Sequence, residues 1–159
     1  MLAEVVPGAY TAIVRGVNDE TGVGVVELYD LDQNANSELA NISSRGVVKT
    51  GDDVMIGGFI VLGPQKQTVI IRALGPSLPV NGKLADPMLE LVNNNGTTLA
   101  TNDDWRSDQE AEIIATGVPP QDKLESAIVR ELSPGLYTAI VRGVAESSGV
   151  GLVEIYALD

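Results

Sequence analysis

Two stretches of this chain alternate apolar and polar side chains with nearly the same letters. Residues 7–17 read Pro-Gly-Ala-Tyr-Thr-Ala-Ile-Val-Arg-Gly-Val, and residues 134–144 read Pro-Gly-Leu-Tyr-Thr-Ala-Ile-Val-Arg-Gly-Val. Residues 22–32, Gly-Val-Gly-Val-Val-Glu-Leu-Tyr-Asp-Leu-Asp, return as residues 149–159, Gly-Val-Gly-Leu-Val-Glu-Ile-Tyr-Ala-Leu-Asp. The offset is constant at 127 (134 − 7 and 159 − 32). In the first copy Tyr10, Ala12, Val14 and Gly16 fall on one face of an extended chain and Thr11, Ile13, Arg15 and Val17 on the other, a period of two that predicts a strand. Asn18-Asp-Glu-Thr21 predicts a turn and residues 22–31 the return strand, so each copy reads as a β-hairpin. Both faces carry apolar side chains, so the hairpin is expected to pack on more than one side. In the first copy Tyr10, Ile13, Val14, Val25, Val26, Leu28 and Tyr29 are the side chains that need covering. Arg15 and Glu27 recur as Arg142 and Glu154. A cross-strand ion pair is one reading; solvated charges are the expected one, since an exposed pair contributes only ~0–1 kcal/mol.

Between the copies the same reasoning continues. Gln33-Asn-Ala-Asn-Ser37 is small and polar and reads as a linker. Strands are predicted at residues 39–48, 54–62, 68–74, 88–92, 97–101 and 126–131. Gly57-Gly58 inside the second predicts a bulge or a close backbone approach; no phosphate-loop pattern accompanies it. Residues 75–87 read as a rigid Pro-containing connection, and Asn95-Gly96 as a hairpin turn. Ser107 with Glu110 predicts a capping box that starts one short helix over 108–116. The predicted fold is all-β, an antiparallel sandwich of about ten strands and one short helix. Three parts follow: an N-terminal hairpin at 1–32, a linker at 33–37, and a sandwich at 38–159 that ends in the homologous hairpin.

Charge narrows the function classes. With 22 acidic and 10 basic residues the chain carries a net charge of −12, a sign that opposes phosphate backbones and anionic lipid, so nucleic acid is not an expected partner. Cysteine and histidine are both missing, which removes the usual zinc sites, thiol chemistry and every His-based triad. No apolar run has the roughly 18–20 residues that span a bilayer, so membrane insertion is not expected. Nor does a signal segment stand at Met1.

Two resemblances enter at this point. Leu89-Glu-Leu, Asn95-Gly, Leu99-Ala-Thr-Asn-Asp-Asp104, Glu125-Ser-Ala-Ile and Leu132-Ser-Pro-Gly-Leu-Tyr137 together resemble the bacterial pre-peptidase C-terminal domain over about residues 86–159. That family is a jelly-roll-like sandwich appended to secreted peptidases. Gly58-Phe-Ile-Val61 and Ile71-Arg-Ala-Leu-Gly-Pro-Ser-Leu78 resemble tandem β-repeats of large secreted proteins of environmental bacteria. The second resemblance implies that residues 1–32 correspond to the end of a preceding repeat. Together they imply an extracellular or cell-surface location.

Carboxylates are the only plentiful reactive groups. Asp103, Asp104, Asp108, Glu110 and Glu112 crowd into ten positions, and an oxygen-rich loop suits calcium, which takes six to eight oxygen ligands. Calcium binding in related domains points to the same residues, with Asp103, Asp104, Asp108 and Glu110 as the candidate ligands; a solvated acidic loop is the competing reading. A glycosidase-like carboxylate pair lacks the aromatic platforms that sugars stack on, because Trp105 is the only tryptophan and Phe59 the only phenylalanine. Trp105 is expected to cap the sandwich edge. Asn41 and Asn95 each fit a glycosylation sequon, and four lysines, Lys49, Lys66, Lys83 and Lys123, have no spacing that singles out an isopeptide partner. No catalytic residue is expected.

A lone two-stranded hairpin is marginal in water and leaves its edges unpaired. Packing on its own sandwich, descent from a cut preceding repeat and addition to a neighbouring subunit would each cover it. The last is the favoured expectation, a non-catalytic structural protein that self-associates head to tail as a filament or surface-layer subunit by strand donation from residues 1–32. The alternative is a calcium-stabilised accessory or spacer module of a secreted multidomain protein, with an extracellular polymer as its partner.

Overall fold

The computed structural model describes residues 1–31 and 39–158. The predicted linker at 33–37 lies outside the described residues. The chain divides into two compact units, residues 1–39 and 40–159.

The larger unit is a β-sandwich of two four-stranded antiparallel sheets. Its strands are β1 (Asn41–Val48), β2 (Met55–Val61), β3 (Gln67–Leu74), β4 (Pro87–Asn93), β5 (Thr98–Asn102), β6 (Ser126–Leu132), β7 (Gly135–Gly143) and β8 (Gly149–Ala157), with one helix, α1 (Glu110–Ala115). One sheet has the order β1-β8-β3-β6 and the other β2-β7-β4-β5. Eight strands stand where about ten were expected; the two missing ones are those predicted in residues 9–31.

Period-two burial builds the core between the sheets. Leu89 and Leu91 of β4, Ala139 and Val141 of β7, Ile71 and Ala73 of β3 and Val153 of β8 all lie at 0% exposure within one cluster, and burying each large aliphatic side chain contributes about 1.5–3 kcal/mol. The central strand β3 is buried on both faces because a second cluster covers its outer side: Ile70 packs with Trp105, Ile113 and Ala127. Trp105 therefore covers a sheet face, where the sequence reading placed it at an edge.

One local expectation changes and two are made specific. The Ser107–Glu110 capping box does not form: Ser107 Oγ donates to the Asp104 carbonyl, and α1 starts after Gln109, whose φ is 56°. The Gln109 amide is used elsewhere, donating to the Val129 carbonyl and accepting from the Val129 N–H, so it satisfies the peptide edge of β6. Gly57-Gly58 forms no bulge, since β2 keeps a continuous register with β7. A Cβ at Gly57 would lie 3.1 Å from Val153 Cγ1, which makes that glycine a close approach of the two sheets. Asn95-Gly96 does turn the β4–β5 hairpin, with positive φ at Gly96 only (77°).

The closing motif is not a hairpin. β7 and β8 belong to opposite sheets, joined by a 3-10 turn at Val144–Glu146, so the chain arches over the core. Alternation does not distinguish the two cases: a strand that buries one face reads the same whether its sequence neighbour pairs with it or faces it. β7 pairs with β2 on one side and β4 on the other. β8 pairs with β1 and β3. Both strands of the arch are interior strands.

The smaller unit contains one regular element among its described residues, a 3-10 turn at Val17–Asp19. The strands predicted over 9–17 and 22–31 are not formed, because a strand needs a ladder partner and the sequence period supplies only the extended backbone. All of residues 1–31 are exposed, including Ile13 at 72% and Val25 at 82%.

Candidate functional site

The arch at residues 134–158 is held at three points. At its entrance, Tyr137 Oη donates to the Ser133 carbonyl at 2.8 Å, while its ring stacks on Phe59 at 5.5 Å between centroids. At its turn, Ala145 and Glu146 adopt positive φ (52° and 57°). A Cβ on Gly143 would sit 2.1 Å from the Ser147 carbonyl oxygen, so only glycine permits the crossing. The Val144 N–H donates to the Asp86 carbonyl at 2.9 Å and fixes the turn on the body. At its exit, Glu154 lies opposite Arg72 of β3 and pairs with it.

That pair is the centre of a polar cluster in the sandwich. Arg72 Nη1 donates to the Val118 carbonyl at 2.7 Å, Nη2 reaches Tyr156 Oη at 3.3 Å, and the guanidinium lies 5.1 Å from the Tyr156 ring centre, within cation–π range. Burial and the neighbouring Glu154 charge raise the Tyr156 hydroxyl pKa above its ordinary value near 10.0, with Arg72 acting in the opposite direction. Glu154 is 8% exposed. The solvated reading of this glutamate is thus overturned, and its partner is Arg72; Arg142 lies on β7 in the other sheet.

Residues 1–31 repeat this local geometry without the sheets. Tyr10 Oη donates to the Val6 carbonyl at 2.6 Å, matching Tyr137 on Ser133. Asn18 and Asp19 have φ of 53° and 59°, matching Ala145 and Glu146. A Cβ on Gly16 would meet the Glu20 carbonyl oxygen at 1.9 Å, matching Gly143. Tyr29 Oη donates to Glu27 Oε1 at 3.3 Å, as Tyr156 Oη does to Glu154 Oε1 at 3.2 Å. Tyr10, Ile13, Val14, Val25, Val26, Leu28 and Tyr29 are all exposed here.

The acidic segment is arranged around its backbone. Asp103 is exposed, and its carbonyl accepts from Ser126 Oγ. The Asp104 carbonyl accepts from Asn102 Nδ2 and from both the N–H and hydroxyl of Ser107. Asp108 is exposed, and Glu110 pairs with Arg106, whose guanidinium lies 4.1 Å from the Trp105 ring centre. Among the described residues no three acidic side chains converge at metal-binding distance. The carboxyl that the structure does perturb is one the sequence reading passed over. Asp86 has its pKa raised by burial first, then by Asp103 and Asp104, and its Oδ1 is buried with no hydrogen-bond partner among the described residues. A raised folded-state pKa means the native state holds the proton more tightly than the unfolded chain, so this group's penalty is absent at low pH and grows as pH rises through the folded pKa. Asp86→Asn is accordingly expected to stabilise the protein by ~0.5 kcal/mol at pH 7 after allowance for solvent screening. Urea midpoints at pH 7 and near pH 3 check this; the advantage should vanish at the lower pH.

No protein-family model matches the chain, and no curated protein matches it. Among solved structures it is similar to the pre-peptidase C-terminal domain of a collagenase from Bacillus anthracis, at 13% identity and a TM-score of 0.46, covering 72% of this chain and 88% of that one. No helix among the described residues is long and apolar enough to cross a membrane.

Proposed function

We propose that this protein is a non-catalytic, extracellular structural subunit that joins its neighbours head to tail by donating residues 1–31 to another β-sandwich. One observation carries the reading: residues 1–31 hold the turn, the tyrosine contacts and the apolar alternation of a closing arch, yet belong to no strand ladder among the described residues. Exposed valine, isoleucine, leucine and tyrosine at this density need a covering surface. The equivalent strands β7 and β8 are interior in their sheets, so donation takes the form of insertion between strands. Simple addition along a free edge would satisfy only one side of each.

Deleting residues 1–32 tests the reading. The full chain is expected to give assemblies whose mass rises with concentration in light scattering and which appear as head-to-tail fibres by electron microscopy. The truncated chain should stay monomeric and folded. A full chain that remains monomeric at the highest concentrations reached, with deletion altering nothing but stability, rules the assembly role out.

A further inference from the structure

We infer that residues 1–31 fit one particular receptacle: the double slot that residues 134–158 fill between β1 and β3 in one sheet and between β2 and β4 in the other, in a second copy of this chain. The inference rests on the proposed donation and names its acceptor.

The glycines carry it. Gly149 is required by the body of the sandwich, since a Cβ there would lie 2.6 Å from the Leu84 backbone nitrogen and 2.7 Å from the Lys83 carbonyl carbon. At Gly151 a Cβ would meet Val48 Cγ2 at 3.0 Å. The matching residues Gly22 and Gly24 have nothing within 4 Å. Nothing in their own surroundings demands glycine, while the slot formed by Val48 and the Lys83-Leu84 segment does. The same holds for charge. Glu27 is exposed and pairs with no arginine among the described residues, but its counterpart Glu154 sits buried against Arg72, so an acceptor of this kind provides that arginine. Residues 1–31 bear the imprint of a site they do not occupy here.

Seating follows from the constant offset. Ala12 and Val14 take the places of Ala139 and Val141, Val26 and Leu28 those of Val153 and Ile155, and Glu27 and Tyr29 face the Arg72 of the second copy. The described residues of each copy offer two arches and one slot, so insertion there requires the C-terminal arch to leave. Turn chemistry favours that exchange: the left-handed positions are Asn18-Asp19 in the N-terminal arch and Ala145-Glu146 in the C-terminal one, and Asn and Asp tolerate this conformation best among side-chain-bearing residues. The buried positions are otherwise the same or differ by one isomeric change, Leu28 for Ile155.

The test disables the C-terminal arch in the full chain with Val153→Asp, at a position of 0% exposure. The expected result is a cooperatively folded protein whose average mass is at least twice that of the monomer and rises with concentration. Adding Val26→Asp to the same chain should abolish the fold. Register is read by pairing Val26→Cys on one copy with Ala73→Cys on another, both in the Val153→Asp background, because Ala73 lies opposite Val153 in the ladder and the chain has no other cysteine. An intermolecular disulfide is expected there, and none when Val25→Cys replaces Val26→Cys. If Val153→Asp unfolds as fully as the double variant, residues 1–31 do not fit the slot. If it folds but stays monomeric at every concentration, the slot is closed from within the same chain and the second copy is the wrong acceptor. Both results are independent of whether the wild-type chain assembles, which the deletion of residues 1–32 decides.

Discussion

Arg72→Met is expected to destabilise the sandwich by about 3–5 kcal/mol, because it leaves the Glu154 carboxylate buried without its counter-charge. The two side chains are 12% and 11% exposed, directly opposite in the β3–β8 ladder, and bound also to Tyr156 and the Val118 carbonyl. Removing one partner of such a pair costs more than removing both, so Arg72→Met/Glu154→Met should recover much of the loss. The sequence contains an internal control. Glu27 occupies the same motif as Glu154 but is exposed, so Glu27→Gln should change the stability of the unassembled chain by no more than ~0.5 kcal/mol. Urea unfolding of the three variants at pH 7 separates these cases. A loss below about 1 kcal/mol for Arg72→Met would mean that the pair behaves as a surface ion pair.

Strand positions were legible because alternation depends only on which face of each strand is buried. β1 to β8 begin and end within two residues of where the period-two pattern, Gly and Pro placed them. Pairing was not legible. The five residues between β7 and β8 look short enough for a hairpin, and an arch has the same alternation. One signal did bear on it: Gly143 and Gly149 bracket a turn without an Asn-Gly pair.

The polar contacts were harder to read for a different reason. Arg72 and Glu154 are 82 positions apart, and their meeting depends on β8 lying beside β3. Sequence proximity offered Arg142 as the partner of Glu154, solvated charges were the expected state, and neither reading places Arg72 beside it. The Ser107 capping box failed in the same way, since the Ser107 hydroxyl found the nearer Asp104 carbonyl. What the sequence did mark was Gly22 and Gly24, kept without local cause; only the contacts of Gly149 and Gly151 give that observation meaning.

Glu125→Gln is the second variant with a large expected effect, about 2–4 kcal/mol of lost stability. Glu125 is fully buried and directly precedes β6. Its Oε1 accepts from the Gly75 N–H at 3.1 Å, the Ser77 N–H at 3.0 Å and Ser77 Oγ at 2.6 Å. Its Oε2 accepts from the Gln121 and Asp122 N–H groups at 3.2 and 3.1 Å. The backbone adds a third loop, since the Glu125 carbonyl accepts from the Trp105 N–H and the Asp122 carbonyl from Trp105 Nε1. A carboxylate is acceptor-only, and five donors converge on it; an amide in its place turns its NH2 toward backbone N–H groups, which can only donate. Glutamine keeps the size and shape, so the loss measures hydrogen bonding and charge rather than a cavity. Glu131→Gln supplies the contrast, because its partner Lys66 and its own side chain are 59% and 60% exposed, and its removal should cost at most ~0.5 kcal/mol. If the two glutamates cost the same in urea unfolding, the loops at 75–77, 105 and 121–125 are held by apolar packing around Trp105 and Ile113 instead of by this carboxylate.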